Sequence, residues 1–230
     1  YEDLAGHEVA IANGNVHHRD ETLFGLGDPM LGLRFALRSG DWTFGANVGL
    51  RMPAGETQPN PYTEEAETLP HEHFQFGTGT FDPELSLALA YDFGDFALGA
   101  WGWTRTALYA NQHGYEAGNR YAGGITASTA FALSDWRFSV LIDANTETPE
   151  RWDGVAPTDD GNRGRFDLYA GLGAAFQPTD AFFVGLTARV PLYHHVVGGQ
   201  LELPIVIEPN IGGSLQLWGP ATPHLETGHD

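Results

Sequence analysis

Leu85-Ser86-Leu87-Ala88-Leu89-Ala90-Tyr91-Asp92-Phe93-Gly94-Asp95-Phe96 is the stretch that decides the fold. Leu85, Leu87, Leu89, Tyr91 and Phe93 alternate with Ser86, Ala88, Ala90 and Asp92. A period of two places the large apolar side chains on one face of an extended strand and the small or polar ones on the other. Gly94-Asp95 supplies turn chemistry, and Phe96 starts a new segment. The same junction recurs at Ser39-Gly40-Asp41-Trp42, Leu133-Ser134-Asp135-Trp136 and Pro178-Thr179-Asp180-Ala181.

The flanking segments repeat the pattern. Trp42, Phe44, Ala46, Val48 and Leu50 alternate with Thr43, Gly45, Asn47, Gly49 and Arg51, and Trp136, Phe138, Val140 and Ile142 with Arg137, Ser139, Leu141 and Asp143. Phe166–Phe176 and Phe182–Val190 behave likewise. Strands are therefore expected near 28–38, 41–52, 83–93, 96–109, 120–133, 136–146, 164–176, 181–194 and 200–217, with His7–Ala12 as a tenth. Pro209, in mid-strand where the alternation changes phase, predicts a bulge.

Between the hairpins lie longer polar connections, near 53–70, 110–119 and 147–163. Short turns at one end, long loops at the other and one-sided alternation predict an antiparallel up-and-down transmembrane β-barrel. About ten strands are expected, or twelve if residues 71–80 pair or an N-terminal strand is missing. The short turns would be periplasmic and the long loops extracellular. Trp42, Phe96 and Trp136 would form an aromatic girdle at the periplasmic ends, joined by Trp218. A single barrel is expected over 1–218 and a polar tail over 219–230.

Composition narrows the function. The 230 residues carry a formal charge of −19, which argues against a nucleic-acid partner. Cysteine is absent, which excludes a disulfide scaffold, a thiolate metal site and a cysteine nucleophile. No run of about 18 apolar residues predicts a membrane helix. A mean hydropathy of −0.25 agrees with a barrel, in which only alternate strand residues meet lipid. The expected surroundings are outer-membrane lipid in a double-membraned bacterium. No signal peptide precedes Tyr1, so the chain reads as a processed or truncated form.

Gly25-Leu26-Gly27-Asp28-Pro29 precedes Leu31, Leu33, Phe35 and Leu37, and Gly77-Thr78-Gly79-Thr80-Phe81-Asp82-Pro83 precedes Leu85, Leu87, Leu89 and Tyr91. The two copies suggest hairpin duplication. A phosphate-binding glycine loop is the other reading, but no strand-to-helix context follows. With the strand and turn that follow it, Gly77–Pro83 resembles the outer-membrane transporter family associated with the phenol-degradation meta pathway, and Gly25–Pro29 is similar. The resemblance covers roughly 25–193. It implies an outer-membrane barrel and uptake of small organic molecules, and carries no catalytic residues.

Two constellations could carry chemistry. His17, His18, His71, His73, His113, His194 and His195 fall in or beside the long loops, which also hold Asp20, Glu21, Glu64, Glu65, Glu67 and Glu72. Imidazole with carboxylate suits Zn, Cu or Ni. The set His17, His18, His71, His73, His194 and His195 is the candidate site for Zn or Cu at the mouth. Solvated loop histidines are the plainer reading, and adjacent His194 and His195 point to opposite sides of an extended segment.

The second constellation is the set opposite the apolar stripes: Arg34, Arg51, Asp92, Arg105, Arg137, Asp143, Arg165, Asp167 and Arg189. Such charges are costly against lipid, so they are expected to line a lumen. There they would form either a salt-bridge ladder that fills a small barrel or a selectivity filter. No Gly-x-Ser-x-Gly motif occurs, and the acidic stretch Tyr62–Leu69 reads as a solvated loop, so an enzyme is not expected. The sequence thus points to a narrow channel or transporter for small solutes that needs no cofactor. The alternative is a plugged barrel whose His- and acid-rich loops bind a divalent metal or a partner protein; a homo-oligomer is a further option.

Overall fold

The computed structural model describes residues 24–60, 76–129, 135–157, 162–179, 181–197 and 202–213. Eleven strands follow one another: β1 Met30–Ser39, β2 Trp42–Arg51, β3 Asp82–Asp92, β4 Phe96–Arg105, β5 Tyr115–Glu116, β6 Arg120–Thr129, β7 Trp136–Glu147, β8 Arg151–Trp152, β9 Arg165–Thr179, β10 Phe182–Val196 and β11 Val206–Gly213. Nine form one antiparallel sheet in the order β1-β2-β3-β4-β6-β7-β9-β10-β11, curled into a half-barrel, and β5 pairs with β8 in a two-stranded ribbon. Each strand of the large sheet pairs with the next in sequence, which is the up-and-down meander expected. His7–Ala12, Trp218 and the tail lie outside the described residues, and 76–80 form no strand.

Turn chemistry closes the hairpins. Gly40 (φ 58°) opens the two-residue loop between the paired Ser39 and Trp42. Glycine enters this left-handed region without the Cβ penalty that other residues meet. Gly94 (φ 91°) does the same after β3, where its N–H donates to Asp92 Oδ1 at 2.9 Å.

The register keeps one face apolar across the whole sheet. Leu33 pairs with Val48 and Val48 with Leu85. Ile125 pairs with Ile142, and Val140 with Leu172. These side chains are uncovered, Leu33 at 68% exposure, Ile125 at 62% and Leu172 at 67%. Among the described residues the buried apolar or aromatic side chains are only Ala107, Ala117, Trp152 and Tyr169. A sheet with that little core and that much exposed Leu and Ile would aggregate in water, whereas hydrocarbon solvates it.

Aromatic rings mark the short-turn rim of the apolar face. Trp42 meets Tyr91 edge-on at 4.8 Å, Tyr91 meets Phe93 at 4.6 Å, and Phe93 stacks on Phe96 at 4.7 Å. Trp136 lies 4.9 Å from Phe176 on the far side of the sheet. Rings with an apolar body and polarisable edges suit the headgroup boundary.

The expected bulge at Pro209 is corrected: Leu186 pairs with Pro209 inside an unbroken β10–β11 register. The register shifts lie between β9 and β10 instead, at Phe182/Val184 and Pro191/Tyr193. Pro209 sits on β11, an edge strand of the described sheet, where a missing N–H is tolerated. Pro191 lies beyond the β11 pairing, which ends at Arg189, and Leu192 is the extra residue where the β9–β10 register shifts. β4 also ends at Arg105 rather than 109, and β11 begins at Val206 rather than 200.

Candidate functional site

The face opposite the apolar stripes is the concave, inner one. Eight of the eleven Arg residues, at 34, 38, 51, 105, 120, 137, 165 and 189, stand on it. Asp82, Glu84, Asp92, Asp143, Glu147, Asp167 and Glu208 stand on the same face. All nine residues expected to line a lumen are in this set. The wall is therefore nearly charge-balanced although the chain as a whole is strongly acidic.

Strand register sorts these charges into layers. One row of Cα partners towards the long loops runs Gly32, Gly49, Glu84, Arg105, Arg120, Glu147, Arg165, Val196. The next row runs Arg34, Asn47, Ser86, Trp103, Ala122, Asn145, Asp167, His194. Neighbours in these rows are within side-chain reach. Arg51 holds Glu84 at 2.8 Å, and Trp103 Nε1 donates to the other Glu84 oxygen at 3.3 Å. Arg120 meets Glu147 at 3.0 Å, and Arg165 meets Asp167 at 2.7 Å. Below these rows come small inner residues, Ala88, Ala90, Gly99, Thr126, Ser139, Gly171 and Gly173, before Arg38, Asp92 and Arg137 at the short-turn ends.

The densest cluster is on β7, β9, β10 and β11. Arg189 reaches across β9 to Asp143 at 3.1 Å, pairs with Glu208 and lies 5.9 Å from the Tyr169 ring centre. Its path runs over Gly171, where a Cβ would come within 2.7 Å of Arg189 Cγ. Asp143 is 2% exposed and Asp167 3%, so these carboxylates are structural parts of the wall.

The long loops are tied to one another above this wall. Asp28, from the first Gly-x-Gly-Asp-Pro copy, accepts from the backbone N–H groups of Ala54, Gly55 and Thr78 at 3.1, 2.8 and 2.7 Å. The Thr78 hydroxyl also donates to Asp28, and Thr80 Oγ1 lies 3.1 Å from Thr78 Oγ1 and donates to Asp82 at 2.6 Å. The repeat thus works as a clamp, with Gly55 and Gly77 packed backbone to backbone. Asn111 Nδ2 donates to the Thr78 carbonyl at 3.0 Å, linking the next loop, and Asn119 exchanges backbone and side-chain bonds with Thr148. In the β5–β8 ribbon the Tyr115 and Trp152 rings are 4.8 Å apart. Burial there raises the Tyr115 pKa above its ordinary value, with Glu150 and Glu147 adding to the effect. Burial also raises the Glu150 carboxyl, against hydrogen bonds from Asn162 and Trp152 that favour its anion.

His17, His18, His71 and His73 lie outside the described residues. His194 pairs with Asp167 on the inner face and has its Nε2 3.2 Å from Glu202; His195 pairs with Phe166 on the outer face. The register therefore separates these two imidazoles. Among the described residues no three metal-ligating side chains converge.

Glu84, Glu147 and Glu208 were not singled out from the sequence, yet they pair with Arg51, Arg120 and Arg189. Their strand parity was the available signal: 84 continues the inner series 86, 88, 90, 92, and 147 continues 137, 139, 141, 143. A depression of ≈ 920 Å³ opens on the other face, where Ala100, Ala127 and Ala170 sit among Leu89, Ile125 and Leu172. Its lining is mostly apolar, with Tyr91 and Thr126 as the hydroxyl-bearing residues.

A wall with an apolar outer face, aromatic rows and a charged inner face has the pattern of a transmembrane β-barrel. The fold resembles the crystal structure of an outer membrane channel from Pseudomonas putida F1, with a TM-score of 0.57 at 14% sequence identity. The likeness covers 81% of this chain and 64% of that one, so the chain spans just under two thirds of that channel's length. No family model matches the chain, and no curated protein matches it.

Proposed function

We propose that the chain forms the wall of a narrow outer-membrane channel for small solutes. The observation that carries this is the segregation of eight Arg and seven carboxylates onto the inner face, behind an outer face of exposed Leu, Ile and Val. Charges placed this way cross the hydrocarbon layer only if they face water or one another. Similarity to a channel fold supports the same reading, which carries with it outer-membrane lipid as the surroundings and a bacterial outer-membrane location. Arg51, Arg120, Arg165 and Arg189 are held in ion pairs along this wall, which suits the lining of a narrow channel. The pathway association implied by the family resemblance is a narrower proposal: uptake of small organic molecules.

The alternative, a plugged barrel whose long loops bind Zn, Cu or a partner protein, has His194 beside Glu202 in its favour. Conductance of the refolded chain in a planar bilayer, with and without micromolar zinc or copper, separates the two. Steady current supports the channel, and metal block puts imidazoles at its mouth. A protein that inserts but passes no current would sink the channel reading.

A further inference from the structure

On the β1–β4 side of the inner wall is a cavity of ≈ 530 Å³ lined by Arg34, Asn47, Glu84, Ser86 and Trp103, with Met30 at its edge. Four of these, Arg34, Asn47, Ser86 and Trp103, are successive Cα partners in one row across β1, β2, β3 and β4. The register therefore sets a guanidinium, an amide, a hydroxyl and an indole side by side. Their existing bonds decide what remains available. Asn47 Nδ2 donates to Ser86 Oγ at 2.6 Å, which leaves the Ser86 proton and the Asn47 carbonyl for another partner. Both Glu84 oxygens are engaged, one by Arg51 and one by Trp103, so this carboxylate is neutralised at the cavity's long-loop end. Arg34 makes no ion pair among the described residues, unlike Arg38 two positions along the same face, which pairs with Asp92 at 3.6 Å.

We propose that this row is a binding site for a small organic carboxylate. The anionic head meets the Arg34 fork, which matches a carboxylate's two oxygens. Ser86 donates beside it, and the uncharged body lies along Trp103. The volume falls within the range of small-molecule sites. The proposal deepens the channel reading by naming a solute class, and it rests on the inner face being a lumen. It is tested by binding rather than by current, so that failure of one is distinguishable from failure of the other.

The test uses the refolded full chain in detergent with benzoate and its neutral isostere benzamide, followed by titration calorimetry. Saturable benzoate binding at least about tenfold tighter than benzamide is expected, with the preference lost in Arg34→Gln and kept in Arg38→Gln. Equal binding of the two probes, no saturation, an unaltered preference in Arg34→Gln, or an equal loss in Arg38→Gln would overturn it. Should Arg34→Gln fail to refold, Asn47→Leu fills the same cavity from the next strand. It is expected to weaken both probes, and unchanged binding would overturn the site.

Discussion

The two halves of the inner wall differ in how much of their charge stays exposed. On β7–β11 the buried Asp143 and Asp167 are held by the half-buried Arg189 and Arg165, with the side chains of Arg189 and Asp143 only 14% and 1% exposed. On β1–β4 every residue of β1 is open, and the Arg38–Asp92 pair is 68% and 44% exposed. Buried partners are costly to separate, because a lone charge is left without water. Exposed partners are screened and contribute little. One half thus closes on itself as structure, while the other leaves an arginine and a cavity for a solute.

The largest expected effect is at the buried cluster. Asp143→Ala leaves Arg189 leaning on Glu208 alone and should cost about 3 kcal/mol in denaturant unfolding of the refolded protein. A loss no greater than that of a surface variant would erase the distinction between the halves. Gly171→Ala comes next. Its Cβ would lie 2.7 Å from Arg189 Cγ and 3.0 Å from the Ala188 carbonyl, so about 1–3 kcal/mol of overpacking is expected in the same unfolding experiment.

A smaller effect belongs to the loop cap over both halves. Glu150 has a raised folded-state value, so folding favours its protonated form. Its contribution is complete below the ordinary value of 4.5 and is lost as pH rises through the raised one. Glu150→Gln should therefore slow amide exchange in the β5–β8 ribbon at pH 7 and flatten its pH dependence. Faster exchange at pH 7 would contradict the burial argument. Smallest of all, Arg38→Ala should change unfolding by no more than about 0.5 kcal/mol, and less in high salt. A loss comparable to that of Asp143→Ala would make the halves alike.

Legibility in the sequence followed the same division between local pattern and long-range partnership. Alternation at Trp42–Leu50, Leu85–Phe93 and Phe166–Phe176 is a period-two signal within one strand, so the strands, their faces and the turn ends could all be read. The inner positions of Arg34 and Asp143 followed from parity alone. That Asp143 would find Arg189 across an intervening strand could not be read, because it depends on the β9 register and on a glycine at 171. The role of Asp28 was hidden for a similar reason: its partners, Ala54, Gly55 and Thr78, are distant in sequence and are bonded through their backbones. Pro209 misled because edge and interior positions look alike in one dimension. The histidines were grouped by loop, and register then set His194 and His195 on opposite faces.

The absence of cysteine makes the central claim directly measurable. Thr126 and Ile125 are adjacent on β6 and face inwards and outwards respectively. Thr126→Cys and Ile125→Cys, each refolded into lipid vesicles, are treated with a charged, membrane-impermeant thiol reagent. A water-filled inner wall predicts rapid labelling at 126 and protection at 125. Protection at both positions, or labelling at 125 alone, would contradict it.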